Sequence, residues 1–183
     1  MESYFQDLAV EIDFRPVLLS IIVEKPTDPL PEGIKSPGLG PRKKKNYLND
    51  MRYWAELCGA EFCSGVHKLK PNPRLMTQAA LVAADQDRFR EFHYPAYRAR
   101  WTEARDIADP AVVRSLLAGA GLDADDALER AQSDELRERL DADSRAAVER
   151  GIFGAPTLFV DDKMFWGNDR FELVRYYIQK AQT

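Results

Sequence analysis

The chain is short of the residues from which metal and disulfide sites are built: its 183 residues include two cysteines and two histidines. Cys58 and Cys63 lack the two-residue spacing of a dithiol redox motif, and with His67 and His93 they make too small and scattered a set for zinc. Both thiols read as buried or inert, and both histidines as structural or surface groups. Long apolar runs are missing too. The best, Val17 to Val23, has the length of a strand, against the roughly 18 residues that a bilayer span requires. Met1 to Asp7 is acidic and mixed, without the charged and apolar regions of a signal peptide. A cytoplasmic protein that makes no use of a membrane is expected. Nor is there an excess of positive charge. Against 26 Lys and Arg stand 30 Asp and Glu, a net charge of −4, which disfavours electrostatic capture of nucleic acid and leaves a small molecule as the better partner.

What is present is an ordinary globular composition, 45% hydrophobic and 31% charged, at a length suited to one domain. Between Leu8 and Leu19, Val10, Ile12 and Phe14 alternate with Glu11, Asp13 and Arg15, the period of a strand, closed by Pro16. From Pro26 to Pro41, five prolines and three glycines predict a long loop, of the kind that serves as a lid, a binding loop or a linker. Tyr47, Met51, Trp54 and Leu57 then recur at helical spacing and predict a helix over about 45–58, stopped by Gly59. A second helix follows Pro73, and a third runs from Asp87 to about Arg100, kinked or divided by Pro95. Asp109-Pro110 pairs an N-cap with a first-turn proline, and Gly119 and Gly121 end that helix. Another helical pattern starts near Ser133, with Leu136, Leu140, Ala147 and Val148 on one side, and stops at Gly151, an amphipathic helix, and the charges of Asp123 to Arg150 read as a solvated helical face.

After Gly151 the pattern changes period. Pro156 to Val160, the turn Asp161-Asp162, and Lys163 to Trp166 read as a β-hairpin. Asp169, with Glu172 three residues later, makes a capping box for a final helix bearing Phe171, Val174, Tyr177 and Ile178. The order is strand, helical insert, helix, hairpin, helix. That is the order of an α/β, thioredoxin-like domain over 1–183 without its first strand, carrying an all-helical insertion over about 42–132.

The segments Gly151-Ile152-Phe153-Gly154-Ala155-Pro156-Thr157 and Phe165-Trp166-Gly167-Asn168-Asp169-Arg170 resemble, in sequence and spacing, the C-terminal signature of 2-hydroxychromene-2-carboxylate isomerases and kappa-class glutathione transferases, which have a DsbA-type thioredoxin fold. Phe14 to Leu19, Pro41 to Asp50 and Trp101 to Pro110 agree in register. The resemblance implies glutathione as cofactor, an aromatic small-molecule substrate, a homodimer, and an isomerase in which the glutathione thiolate adds reversibly to an unsaturated compound. A kappa-type transferase is its neighbouring alternative.

The same resemblance implies site residues. Ala155, preceding Pro156 as a cis-proline, offers its backbone N–H and C=O to an extended peptide, here glutathione. Asn168 and Asp169, at a helix start, hold the γ-glutamyl end, the backbone N–H groups meeting its carboxylate and Asp169 its ammonium, a role compatible with capping. Lys43, or Lys44 in the adjacent register, reaches the glycyl carboxylate. Trp166 lines the substrate pocket, with Trp54 and Trp101 either beside it or in the core. One family element has no counterpart. No Ser-Pro-aromatic turn, whose serine would hold the thiolate, stands before Phe14, and Ser36-Pro37 falls in the long loop. An N-terminally shortened chain with no assigned catalytic residue is expected, and a non-catalytic binding protein stays open beside the enzyme.

Overall fold

The computed structural model describes residues 2–23, 40–63, 66 and 69–182. The chain divides into two compact units, Met1–Lys25 with Leu140–Thr183, and Pro26–Arg139. In chain order the elements are α1 (Leu19–Ile22), α2 (Pro41–Cys58), α3 (Arg74–Asp85), α4 (Phe89–Trp101), α5 (Pro110–Gly119), α6 (Ala124–Gln132), α7 (Asp134–Glu149), β1 (Thr157–Val160), β2 (Lys163–Trp166) and α8 (Phe171–Ala181). Short 3-10 turns lie at Glu2–Tyr4 and Asn168–Arg170.

Within 26–139 the helix limits follow local chemistry. Asp109 accepts a hydrogen bond from the Ala111 N–H (2.8 Å) to open α5 at Pro110, and Gly59 closes α2 in the left-handed region (φ 62°). Asp123 caps α6, and the Ser133 hydroxyl accepts the Leu136 N–H (3.2 Å) where α7 begins. The second cap stands where the pattern leading to Gly151 is expected to start, near Ser133, and α6 is the helix that the pattern alone does not give. Fully buried Ala79 and Val82 of α3, Val113 and Leu117 of α5, and Ala127 and Ala131 of α6 form the interior, their small side chains allowing close helix approach. Asp85, ending α3, accepts hydrogen bonds from Arg130 of α6 (2.5 Å) and Arg139 of α7 (2.8 Å).

The other unit is built on the predicted hairpin. β1 and β2 pair antiparallel, Thr157 opposite Trp166 and Val160 opposite Lys163, and Asp161 takes the positive φ (53°) that a two-residue turn demands. Phe165 and Val174 are buried together with Phe5, and Leu158, Val160, Tyr177 and Ile178 pack against them. The first residues are stitched to α8: Tyr4 meets Phe171 edge-on (5.2 Å), and Arg175 donates to the Tyr4 carbonyl (2.9 Å) and pairs with Asp7.

Three expectations are corrected. The alternating run from Val10 to Phe14 forms no strand. Ile12 and Phe14 are partly buried while Glu11, Asp13 and Arg15 are exposed, so the alternation survives as burial. Strand identity needs a hydrogen-bonded partner, and among the described residues β1 and β2 pair only with each other. Beyond Pro16, Leu19–Ile22 is helical. Pro95 does not divide its helix, since α4 runs through it. Burial of Phe92, Ala96 and Ala99 on one face offsets the roughly 3 kcal/mol that an internal proline costs. Cys58 is exposed and Cys63 half-buried, because α2 has no buried side chain among its described residues to draw its last turn inward.

Candidate ligand site

The hairpin positions two loops side by side. Beyond the Thr157–Trp166 pair, the Gly167 N–H donates to the Pro156 carbonyl (3.0 Å), extending the ladder by one bond. The loop Gly154–Pro156 is thereby fixed next to the turn Gly167–Arg170. Sequence reasoning selected Ala155, Pro156, Trp166, Asn168 and Asp169, and all five lie in this one neighbourhood.

In the first loop the Ala155–Pro156 peptide is cis, and the Thr157 hydroxyl donates to the Gly154 carbonyl (2.7 Å). Ala155 is exposed, and its N–H and C=O make no hydrogen bond among the described residues. An exposed main-chain donor and acceptor at the start of an edge strand can pair with an extended ligand as another strand would.

In the second loop the expected capping box is not formed. The chain turns through the 3-10 segment Asn168–Arg170, so the N-cap of α8 is Arg170 and no side chain caps it. Asp169 falls inside that tight turn, without the extended backbone from which an N-cap side chain reaches back. Its carboxylate accepts no hydrogen bond among the described residues, and Arg170 approaches it at 3.7 Å. The N–H groups of Asn168 and Asp169 also have no partner among them. Gly167 sits at φ 109°, where a side-chain Cβ would lie 2.5 Å from Asp169 Oδ1, so glycine is what lets the carboxylate fold back over the turn.

Trp166 is half exposed and tilted against Phe153 (5.0 Å between ring centres). Its indole lies where a Cβ on buried Gly154 would stand. Neither Phe153 nor Gly154 was given a role from sequence, although both are letters of the G-x-F-G-x-P-T motif. Their contact with a residue ten or more positions away becomes visible once the hairpin register is known.

Lys43 is exposed in the first turn of α2, in the other unit. Trp54 and Trp101 are half-buried there too, Trp101 against Phe62 (5.4 Å) with the Arg100 guanidinium over it (4.6 Å). His93 stacks on Phe89 (4.9 Å). His67 and the Ser36-Pro37 pair lie outside the described residues. No metal-ligating cluster occurs among the described residues, and none of their helices is long and apolar enough to cross a membrane.

The profile of the DSBA-like thioredoxin domain matches residues 1–179. The chain belongs to that family. Its DsbA-like thioredoxin fold is a helix-rich one with a small antiparallel sheet, as the motif order led one to expect. The fold superimposes on a solved 2-hydroxychromene-2-carboxylate isomerase with a TM-score of 0.75 and 25% identity, covering 98% of this chain and 85% of that one. Two curated relatives of this DsbA-like protein carry the same name. One, from Sphingobium xenophagum, is 38% identical over 100 residues, which are 55% of this chain and 51% of the relative. Another, from Pseudomonas putida, is 33% identical over 131 residues, 69% of this chain and 62% of the relative. The chain thus spans about half to three fifths of the curated relatives it matches.

Proposed function

We propose that the protein is a glutathione-dependent isomerase of the 2-hydroxychromene-2-carboxylate isomerase type, acting on an unsaturated aromatic compound. One observation carries the reading: the Gly167–Pro156 hydrogen bond that sets an unpaired Ala155 backbone beside an uncapped Asn168–Asp169 turn. Glutathione has an extended peptide, an ammonium and a carboxylate at its γ-glutamyl end, and each finds its complement. Ala155 offers its N–H and C=O to the peptide. The Asp169 carboxylate, accepting no hydrogen bond among the described residues, suits the ammonium, and the open N–H groups of Asn168 and Asp169 suit the carboxylate. The names of the relatives supply the reaction class.

Glutathione held there would supply a thiolate nucleophile that is returned unchanged, so none would be consumed. The residues of this chain bind and orient: the Ala155 backbone fixes the peptide, Asp169 and Asn168 its end, and Trp166 offers an aromatic wall to the substrate. The assignment of Lys43 to the glycyl carboxylate rests on the resemblance alone.

The test is a thermal-shift titration with glutathione, because a ligand of the native state must raise apparent stability. Wild type is expected to gain stability, Asp169→Ala to lose that gain while keeping its own melting temperature, and Lys43→Ala to need more glutathione. No gain in folded wild type would sink the reading. A kappa-type transferase would be recognised by net consumption of glutathione during turnover.

A further inference from the structure

α2 has a charge pattern that its own stability does not explain. The N-terminus of a helix favours carboxylates, because its dipole is positive there. Yet the first turn of α2 has no acid and no side-chain cap, and it reads Arg42-Lys43-Lys44-Lys45. Arg42, Lys43 and Lys45 are exposed, as is Arg52 two turns on. None of these four makes an ion pair among the described residues. Against the five cations of the helix stand Asp50 and Glu56, in a chain whose net charge is −4. Positive charge is thus gathered on one element, at the end where it weakens the helix.

The apolar residues of α2 divide by side. Leu48, Met51 and Ala55, at i, i+3 and i+7, are half-buried. Tyr53 and Leu57, at i and i+4, are 64% and 71% exposed, and Tyr47 is 54% exposed. At about 100° per residue, Arg42, Tyr53 and Leu57 lie along one stripe, with Lys43 and Tyr47 beside it. The outer side therefore joins cations, two phenol rings and an exposed leucine on a helix of low overall hydrophobicity. That combination suits a helix lying in a lipid headgroup layer. Duplex nucleic acid would neutralise the cations and leave Leu57 in water. A phospholipid surface accepts both, with phosphates for the cations and the acyl boundary for the leucine and the rings.

We propose that the outer side of α2 docks on the surface of an anionic phospholipid bilayer, Arg42, Lys43 and Lys45 against headgroup phosphates and Tyr47, Tyr53 and Leu57 entering the headgroup layer. Attraction to a charged surface acts over about a Debye length, near 10 Å at 0.1 M salt, so the sign of α2 counts rather than that of the whole chain. The lack of a long apolar run excludes a helix through the bilayer, and a helix lying on it needs no such run. A protein that makes no use of a membrane was expected from that lack, and the exposed side of α2 departs from it. Nothing in this docking requires glutathione or the hairpin loops.

The experiment is co-sedimentation of the full chain with vesicles of phosphatidylcholine alone and of phosphatidylcholine mixed equally with phosphatidylglycerol, with hydrogen exchange read on the bound protein. Binding is expected on the anionic vesicles and not on the neutral ones, weakening as salt rises, with exchange slowed in α2 and unchanged in α3, α5 and α6. Arg42→Gln and Lys45→Gln are each expected to weaken it roughly fivefold, the factor of one basic side chain at an anionic surface. Leu57→Ser should weaken it without altering the salt dependence. Arg42→Glu combined with Lys45→Glu should abolish binding; both replacements suit the positive end of the helix, and circular dichroism checks that α2 stays folded. Arg42→Lys combined with Lys45→Arg should bind as wild type does. Equal binding to both vesicles, binding to neither, survival of binding in the double Glu variant, or slowed exchange confined to elements other than α2 would overturn the proposal. So would an inert Leu57→Ser together with equal capture by polyuridylate RNA, which would make α2 a general polyanion site.

Discussion

Gly154 shows how one missing side chain sets a site. A Cβ there would meet the Trp166 indole, so Gly154→Ala must push either the loop or the ring aside. Overpacking of this kind costs about 1–3 kcal/mol. The expected outcome is a lower denaturation midpoint with a changed near-ultraviolet signal from Trp166, while Gly154→Ser should behave no better. An unchanged midpoint would mean that Trp166 is free to move, and it would remove the argument that the ring is a fixed wall. At this scale the grouping was legible: Ala155, Pro156, Trp166, Asn168 and Asp169 stand in two short motifs that the hairpin brings into one neighbourhood. Hidden in the sequence was the company they keep. Phe153 gains meaning from Trp166, a neighbour that the hairpin register supplies.

Elements obey the same division between local and distant causes. The hairpin was readable because its turn and both strands are contiguous, and α5 because Asp109-Pro110 caps it locally. The Val10–Phe14 run has the right period but depends on a partner far away in sequence, and the structure gives it burial without a ladder. Where α1 begins, a single distant hydroxyl matters instead. Ser144 of α7, fully buried, accepts the Leu18 N–H (2.9 Å) and donates to the Leu140 carbonyl (2.7 Å). Ser144→Ala strands that N–H in the interior, and a loss of about 1–3 kcal/mol in urea unfolding is expected; the same substitution costing nothing would show that the segment is not held there.

Asp85 is the ionic counterpart. The hydrogen bond from Arg139, with Arg130 beside it, holds its carboxyl below the usual carboxylate range. A carboxyl depressed in the folded state contributes its stability above the unfolded value of about 4, and loses it as the pH falls through the lower folded value. Asp85→Asn should therefore lower the melting temperature at pH 7 and flatten its fall below about pH 4; parallel pH profiles for the two proteins would refute this.

For the whole molecule, the two units differ in how much interior each possesses. Unit 26–139 buries Ala79, Val82, Val113, Leu117, Ala127 and Ala131 completely. The other unit buries fewer: Phe5, Phe165 and Val174 in the hairpin cluster, flanked by partly exposed neighbours, and Leu18, Ile22, Leu140 and Ser144 elsewhere in the same unit. Local opening free energies follow buried apolar contact, so the two should not open alike. Native-state hydrogen exchange of the full chain is expected to show the slowest amides in α3, α5 and α6, and faster exchange in β1 and β2. Glutathione should slow the hairpin amides selectively if the ligand rests on the Ala155 and Asp169 loops, since binding raises the cost of opening the unit that holds it. Uniform exchange across both units would show that they unfold as one, and the smaller interior around the hairpin would then be supported by something beyond its own three buried residues.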